Sequence, residues 1–167
     1  MGALGRRHFL AGASGTAVAG GLAPSAASAS VSGGKGGRGV RTGADRAAAD
    51  GWSLLAGQKV GVITNPTGIL SSSLRSIVDD MHESGAVKIV GIFGPEHGFR
   101  GTAQAGESED TSIDPRTGLT VYDAYGANTA AMERMFTEAG VETLVFDIQD
   151  VGARFYTYIW TMYTAMR

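Results

Sequence analysis

Residues 87–101 read VKIVGIFGPEHGFRG, and this stretch decides the fold class. Its first half is rich in β-branched residues, which is typical of a buried strand. Pro95 has no amide hydrogen and cannot extend a central strand, so the chain must leave the sheet there. In an open α/β sheet, ligands bind outside the carboxyl ends of the strands. The sequence therefore predicts that Glu96, His97 and Arg100 lie at a functional site.

A second strand and a helix are predicted on the amino-terminal side of this stretch. Residues 59–64 (KVGVIT) form a nearly continuous apolar run, as expected of a strand covered on both faces. Apolar residues then recur at helical spacing from Leu70 to Met81, with serines at the start and Gly85 after the end. This spacing predicts a helix over residues 70–81 that ends at the glycine.

The alternation of strand and helix continues on the carboxyl-terminal side. Short strands are predicted at residues 119–122 and 141–147, and between them a helix begins at the cap Asn128 and ends at Gly140. Aromatic residues on one helical face predict a last helix within residues 155–167. Strands alternating with helices of about a dozen residues indicate right-handed crossovers. The predicted fold class is α/β, a Rossmann-like three-layer sandwich with a mostly parallel sheet.

Residues 1–29 have the features of an export signal. The pair Arg6-Arg7 is followed by Phe-Leu at the offset typical of the twin-arginine pathway, and then by a weakly apolar stretch. Ala27-Ser28-Ala29 offers small residues to a signal peptidase. The apolar stretch is too short and too rich in glycine to span a membrane. We therefore expect export by the Tat translocase and a secreted or extracytoplasmic protein.

Residues 30–51 are predicted to be a glycine-rich flexible linker because they lack apolar periodicity, and residues 52–167 to be the folded domain. The chain has no cysteine, so its core is expected to be held by burial without disulfide bonds. Without the two arginines of residues 1–29, the 14 basic and 16 acidic residues leave a net charge of −4. This balance gives no reason to expect a nucleic-acid partner.

Polar side chains follow three of the predicted strands at the point where each strand ends. They are Asn65 after the first, Glu96 and His97 after the second, and Asp147 and Asp150 after the last. Because the carboxyl ends of parallel strands lie along one edge of a sheet, these residues can converge on one pocket. Glycoside hydrolysis requires two such carboxylates. One donates a proton to the leaving oxygen, and the other activates water or stabilises the transition state.

Glu96 is the better candidate for the acid. It follows a proline in a loop beside Phe93 and Phe99, where an apolar surrounding would raise its pKa and keep it protonated. Other interpretations stay open for these residues. A glutamate on a glycine-rich loop also fits a solvated turn, and His97 fits a bond to a backbone carbonyl as well as it fits contact with substrate. Asp150 fits a helix cap at least as well as it fits a catalyst.

A metal site has weak support in the sequence. Glu96, His97 and Asp147 offer donors that zinc accepts, but nothing in their spacing requires a zinc ion. We therefore predict neither a metal nor a cofactor. A metal-dependent hydrolase of another substrate is an alternative.

Four blocks of the sequence are similar to those of a known family. They read GVITNPTG at residues 61–68, FGPEHGFRG at 93–101, AGE at 105–107 and FDIQDVGARFYTY at 146–158. In this order they resemble the signature blocks of the NamZ-type exo-β-N-acetylmuramidases, formerly known only as a domain of unknown function. The resemblance covers roughly residues 54–167.

The resemblance implies a Rossmann-like catalytic domain, followed by a smaller carboxyl-terminal domain that this chain lacks. It also implies a glycoside hydrolase that releases N-acetylmuramic acid from the non-reducing ends of peptidoglycan fragments. The family's catalytic glutamate corresponds to Glu96, and the block of residues 147–158 would line the same pocket. The predicted catalytic residues are Glu96, Asp147 and His97. Whether the enzyme retains or inverts the anomeric configuration depends on carboxylate separation in space, which the sequence does not give.

Recognition of muramic acid requires a contact with its lactyl carboxylate, which a guanidinium can bind through two parallel hydrogen bonds. Arg100 and Arg154 are the candidates for this contact. Tyr156, Tyr158 and Phe99 are candidates to pack on the sugar ring, although core packing is the default role of such aromatic residues. The predicted substrate-binding residues are Asn65, Arg100, Glu107, Asp150, Arg154 and Tyr156. The alternative function is a non-catalytic cell-wall sugar-binding protein on the same fold.

Overall fold

The computed structural model describes residues 40–107 and 109–167. The predicted export signal and the first part of the predicted linker, residues 30–39, lie outside the described residues. The strands are β1 (Lys59–Thr64), β2 (Lys88–Gly94), β3 (Ser112–Ile113), β4 (Thr120–Asp123) and β5 (Thr143–Asp147). The helices are α1 (Gly43–Ala49), α2 (Ile77–Ser84), α3 (Thr129–Ala139) and α4 (Tyr158–Ala165), with a short 3₁₀ turn at Ser53–Leu55.

The five strands form one sheet in the order β3-β4-β2-β1-β5. β1 pairs in parallel with β2 and with β5, and β2 pairs in parallel with β4, whereas β3 runs antiparallel to β4. The strand order reverses beside β1, because β2 and β4 are added on one side of it and β5 on the other. The predicted α/β fold with a mostly parallel sheet is confirmed.

Helices cover both faces of the sheet and bury two separate hydrophobic clusters. On one face, α1 and α2 pack over Val60 and Val62. On the other face, α3 and the end of α4 pack over Phe93 and Tyr122. Phe93 stacks on Tyr122 with ring centroids 5.2 Å apart and meets Phe136 edge-on at 4.8 Å. Two helical layers around one sheet form the predicted three-layer sandwich.

α1 lies within the stretch that the sequence predicts to be a flexible linker. That prediction is wrong for the second part of residues 30–51, because residues 43–49 are helical. A capping box begins the helix: the Thr42 hydroxyl accepts from the Asp45 N–H, and the Asp45 carboxylate accepts from the Thr42 N–H. The helix packs through alanines against the cluster on the α2 face. Their small side chains give a weak apolar periodicity, which explains why the helix was not predicted.

α2 begins at Ile77, later than the helix predicted over residues 70–81, and ends at Gly85 as predicted. The segment before it is a turn, in which Leu74 has a φ of 56° and a 72% exposed side chain. The Asp45 carboxylate accepts hydrogen bonds from the N–H and the hydroxyl of Ser71 and so stabilises this turn. Contact with α1 therefore overrides the apolar spacing that predicted a longer helix.

α4 is the predicted last helix, and it starts at Tyr158. Its outer face exposes more than half of the side chains of Ile159, Trp160 and Tyr163. Within residues 40–107 and 109–167, no helix combines the length and the apolar character needed to cross a membrane.

Candidate active site

The carboxyl ends of the four parallel strands lie along one edge of the sheet, where the predicted site residues follow them. Asn65 comes directly after β1, and Glu96 and His97 come after β2. Tyr125 follows β4, and the chain after β5 returns to Glu96 at residues 155–158. This edge brings together side chains that are far apart in sequence.

Both oxygens of the Glu96 carboxylate accept hydrogen bonds from other segments. The Thr157 hydroxyl donates to Oε2 at 2.7 Å, and the Gly106 N–H donates to Oε1 at 3.0 Å. Thr157 lies 61 residues further along the chain, so its bond joins the loop after β2 to the start of α4. The carboxylate is thereby held at both ends.

The hydrogen bond from Thr157 lowers the pKa of Glu96 below its ordinary value. Burial acts in the opposite direction, but the bonds from Thr157, Gly106 and the Tyr125 hydroxyl, together with the charge of the nearby His97 ring, outweigh it. The prediction that an apolar surrounding raises the pKa of Glu96 is therefore wrong. Donors on both oxygens favour the ionised carboxylate.

His97 is held by the loop that follows it, through its backbone and its ring. Its φ of 72° is uncommon for a residue with a side chain. Nδ1 lies 3.3 Å from the carbonyl oxygen of Ala103, whose N–H donates to the His97 carbonyl at 3.4 Å. A carbonyl can only accept, so Nδ1 carries the hydrogen of this bond, and Nε2 is the ring nitrogen that this bond does not use. One of the two predicted roles of His97, binding a backbone carbonyl, is therefore present.

A cavity of about 260 Å³ opens beside Glu96 and His97, and its other walls are Ala105 and residues 155–158. Tyr156 lies between Phe155 and Tyr158 and meets both edge-on, with ring centroids 5.5 and 5.6 Å apart. Glu96, His97 and Tyr156, three of the predicted site residues, thus line one cavity. Aromatic rings beside a carboxylate form a surface on which the apolar side of a sugar can pack.

Two tyrosines surround the Glu96 carboxylate. Burial raises the pKa of Tyr125, and the charge of Glu96 raises it further. Burial also raises the pKa of Tyr158; the Asn65 side chain opposes this shift, and the charge of Glu96 adds to it. Asn65 itself is 4% exposed, and its Oδ1 accepts from the N–H and the hydroxyl of Thr67. Asn65 therefore shapes the turn after β1 and reaches the cavity through Tyr158.

Arg100 has a role different from the predicted contact with substrate. Its guanidinium donates two hydrogen bonds to Asp79 and two to Asp114, over distances from 2.8 to 3.2 Å. The side chains of these aspartates are only 3% and 1% exposed. The guanidinium is committed to two buried carboxylates, which leaves Arg154 as the candidate for the lactyl carboxylate.

Asp147 is not brought to the cavity of Glu96. It lines a second cavity of about 340 Å³, together with Trp52, Ile77 and residues of α1. Burial raises the pKa of Asp147. Asp147 and Glu96 therefore line different cavities, because β5 presents the Asp147 side chain to the α1 side of the sheet. The catalytic role of Asp147 stays a prediction.

The remaining predicted site residues lie on exposed turns. The Asp150 carboxylate accepts from the Gly152 N–H at 2.7 Å, which is a local turn rather than a helix cap. Arg154 is exposed in the turn just before the aromatic segment. Glu107 is exposed, and its N–H donates to the Gln104 carbonyl. The contacts of these three side chains with substrate stay predictions.

Three contributors to the site were missed by the sequence analysis: Thr157, Tyr125 and the N–H of Gly106. Tyr125 had a detectable signal, since it follows a parallel strand at the same edge as the residues that were predicted. Thr157 lies inside a block that resembles the family, but no sequence pattern shows where its hydroxyl points. The Gly106 N–H belongs to the backbone, so the residue type does not indicate that it binds Glu96.

Comparison with known proteins identifies the family to which the chain belongs. Residues 60–167 match the family described as exo-beta-N-acetylmuramidase NamZ, N-terminal. A curated relative from Bacillus subtilis (strain 168), the peptidoglycan beta-N-acetylmuramidase NamZ, is 47% identical over 127 residues. The match covers 76% of this chain and 30% of the relative.

Two solved structures share the fold. A DUF1343 family protein from Bacteroides fragilis NCTC 9343 is similar over 75% of this chain and 30% of its own, with a TM-score of 0.62 and 38% identity. A second protein of that family from the same organism covers 74% and 30%, with a TM-score of 0.54 and 29% identity. The chain thus spans 30% of the length of these relatives. It belongs to the NamZ family of exo-β-N-acetylmuramidases and corresponds to the family's N-terminal part.

Proposed function

We propose that the protein is an exo-β-N-acetylmuramidase that releases N-acetylmuramic acid from the non-reducing ends of peptidoglycan fragments. The observation that carries the proposal is the cavity in which the Glu96 carboxylate lies beside Tyr156 and Tyr158. Membership of the family and the name of the Bacillus subtilis relative support the substrate class. Because the chain spans 30% of that relative, the activity of the whole protein is part of the proposal.

In this proposal Glu96 acts in its ionised form. Hydrolysis of a glycoside passes through an oxocarbenium-like transition state, whose positive charge a carboxylate can stabilise or whose attacking water it can deprotonate. The lowered pKa of Glu96 suits these two roles better than it suits proton donation. His97 lines the same cavity, and the bond to Ala103 uses only its Nδ1, so Nε2 is the candidate for a second proton transfer.

Recognition of the muramyl group is assigned to Arg154 and the aromatic segment. The lactyl ether of N-acetylmuramic acid ends in a carboxylate, and a guanidinium binds such a group through two parallel hydrogen bonds. Arg154 is exposed directly before the residues that form the cavity wall, whereas the guanidinium of Arg100 already binds two aspartates. Tyr156 supplies a ring at this wall for contact with the sugar.

The proposal is tested by incubating the purified protein with the disaccharide N-acetylmuramyl-β-1,4-N-acetylglucosamine and measuring free N-acetylmuramic acid. The Bacillus subtilis relative is the positive control. A second arm assays that relative with its matching 127 residues replaced by the residues of this chain that align with them, so that the relative supplies the remaining length. Release that disappears in Glu96→Gln supports the proposal. No release in either arm, with an active control, would contradict it.

The alternative, a non-catalytic sugar-binding protein on the same fold, gives a different result in the same experiment. It predicts that the disaccharide binds without turnover and that Glu96→Gln binds it as well as the parent protein. Calorimetric titration of both proteins with the disaccharide measures this difference. Turnover of the disaccharide, together with its affinity, therefore distinguishes the hydrolase from the sugar-binding protein.

Export is proposed as a second part of the function. Arg6-Arg7, the apolar stretch after it and Ala27-Ser28-Ala29 support transport by the Tat translocase, which would place the protein outside the cytoplasm. A hydrolase of peptidoglycan fragments would meet its substrate there.

A further inference from the structure

The Thr157 hydroxyl donates a hydrogen bond of 2.7 Å to Oε2 of the Glu96 carboxylate. Gly106 binds the other oxygen with its backbone N–H and contributes no side chain to the contact. The contact from Thr157 instead depends on its side chain. Thr157 is thus a residue whose identity, and not only its backbone, determines the surroundings of Glu96.

The position of Thr157 makes this contact informative. It is the residue before α4, where threonine commonly accepts a hydrogen bond from the first turn of the helix, a contact worth about 1 kcal/mol. Thr157 makes no such bond, and its backbone has helical angles, with φ −94° and ψ −13°. Its hydroxyl binds Glu96 and not a backbone N–H of α4. The hydrogen bond that would cap the helix is therefore replaced by a hydrogen bond to the carboxylate at the cavity.

The neighbours of Glu96 show why this contact matters. The titratable groups around the carboxylate are the ring of His97 and the phenols of Tyr125 and Tyr158. Without a donor on Oε2, the side chain could rotate about its terminal bond, whose torsion is broad. The bond from Thr157 restricts that rotation together with the bonds from Gly106 and Tyr125, and it is the largest of the causes that stabilise the charged form.

We propose that Thr157 is a positioning residue, which holds the Glu96 carboxylate in one orientation at the cavity through a hydrogen bond donated from the start of α4. The effect of Thr157 on catalysis rests on the proposed function. The hydrogen bond between Thr157 and Glu96 is present whatever the function is. A carboxylate that must meet one face of a sugar needs a fixed orientation, because small misplacements of a reacting group cost large factors in rate. Thr157 couples this orientation to the placement of α4.

The experiment compares Thr157→Val with Thr157→Ser. Valine keeps the shape of threonine without the hydroxyl, and serine keeps the hydroxyl. We expect kcat for release of N-acetylmuramic acid to fall by about 10- to 100-fold in Thr157→Val with KM nearly unchanged, and to recover in Thr157→Ser. Thr164→Val removes a hydroxyl from the last turn of the same helix and is the matched control, with kcat expected to stay unchanged. If Thr157→Val does not fold, Thr157→Ala removes the same hydroxyl with a smaller side chain.

A second readout does not depend on activity. The ¹³C signal of the Glu96 carboxyl group, assigned by its loss in Glu96→Gln, is titrated with pH in each variant. The pKa of Glu96 is expected to rise in Thr157→Val and to return in Thr157→Ser, since the cause of its lowering is removed and restored. An unchanged titration and an unchanged kcat in Thr157→Val would overturn the inference. A protein without muramidase activity would instead remove the proposed function, and the titration would still decide the role of Thr157.

Discussion

Arg100 binds the buried carboxylate of Asp79 through two parallel hydrogen bonds, Nη1 to Oδ2 at 3.2 Å and Nη2 to Oδ1 at 2.8 Å. Asp79 belongs to α2, whereas Arg100 lies in the loop that carries Glu96. The same guanidinium binds Asp114 through two further bonds, so one side chain joins three segments of the chain. The arginine predicted to bind substrate therefore stabilises the loop of the site.

Replacing Arg100 by alanine is expected to destabilise the protein by about 3 kcal/mol, because two buried carboxylates would lose the guanidinium that binds them both. The matched control is Arg116→Ala, since Arg116 also binds Asp79 but has a 58% exposed side chain. That change is expected to cost at most about 1 kcal/mol. Urea unfolding at neutral pH measures both free energies of unfolding. Equal losses in the two variants would show that Arg100 has no special structural role.

The stability of this cluster is also expected to depend on pH. Burial alone would raise the pKa of Asp114, but the bonds from Arg100 and Thr117 outweigh it and lower the pKa to about 2. A carboxyl group with a lowered pKa in the folded state stabilises the protein above its ordinary pKa of 3.8, and this contribution is lost as the pH falls from there to about 2. The loss amounts to about 2 kcal/mol.

Asp114→Asn tests this assignment, since asparagine has no carboxyl group to titrate. The free energy of unfolding of the parent protein is expected to fall between about pH 4 and pH 2, and that of the variant to change less by about the same 2 kcal/mol. Denaturant unfolding at a series of pH values measures both slopes. If the two proteins have the same slope, the acid sensitivity comes from other carboxylates.

The parts of the fold that were predicted correctly depend on short-range features. Apolar runs bounded by Gly94-Pro95 or by Gly85 define the strands and the end of α2, and the side chain of Asn128 caps α3 as expected. The parts that were missed depend on contacts between distant residues. The Asp45 carboxylate completes the capping box of α1 and at the same time binds Ser71, in the turn that precedes α2, and local spacing does not reveal this contact.

The same distinction applies to the site. The position of Glu96 and His97 follows from a strand that stops at a proline, so the sequence was sufficient to find them. The ionisation of Glu96 depends on Thr157, which is distant in sequence, and so it was predicted in the wrong direction. The sequence also placed Asp147 at the right edge of the sheet, but its side chain lines the cavity on the α1 side. The sequence therefore predicts which residues follow the strands, but it does not predict the face of the sheet to which their side chains point.

Arg154→Ala is expected to weaken hydrolysis of muramyl substrates selectively. Loss of a hydrogen bond to a charged group costs about 1.5–3 kcal/mol, which corresponds to roughly 10- to 160-fold in kcat/KM. A matching glucosaminide without the lactyl carboxylate should change far less. Arg134→Ala, an exposed arginine on α3, is the control and should affect neither substrate. Equal losses on both substrates in Arg154→Ala would mean that Arg154 stabilises the turn and does not bind the lactyl carboxylate.

Replacing Arg6 and Arg7 together by lysine is expected to block export, because the twin-arginine pathway requires the arginine pair and not merely two positive charges. The measurement is the distribution of the protein between cytoplasmic and exported fractions of the producing cell. The mature chain of the parent protein is expected to begin near Ser30, which amino-terminal sequencing would show. Normal export of the double-lysine form would rule out the twin-arginine assignment.

Glu96→Gln separates the possible roles of the carboxylate. Glutamine keeps the shape and can still accept a hydrogen bond from Thr157, but it has no charge and cannot take a proton. Because the pKa of Glu96 is lowered, we expect the ionised form to act on the sugar itself, so that the chemistry of the leaving group matters little. A loss of about 10²–10⁴-fold is therefore expected on two substrates, a muramyl disaccharide and an aryl muramyl glycoside whose leaving group needs no proton.

The contrast between these two substrates is the decisive measurement. If Glu96 were the proton donor, the aryl glycoside would lose much less rate than the disaccharide, since its leaving group departs without protonation. Damage to the loop would slow both substrates as well, so the free energy of unfolding of Glu96→Gln must be shown to match the parent protein. Glu133→Gln, on the exposed side of α3, removes a carboxylate of the same kind away from the cavity and should leave both rates unchanged. Near-parental rates in Glu96→Gln on both substrates would remove Glu96 from the mechanism and make His97 the next residue to replace.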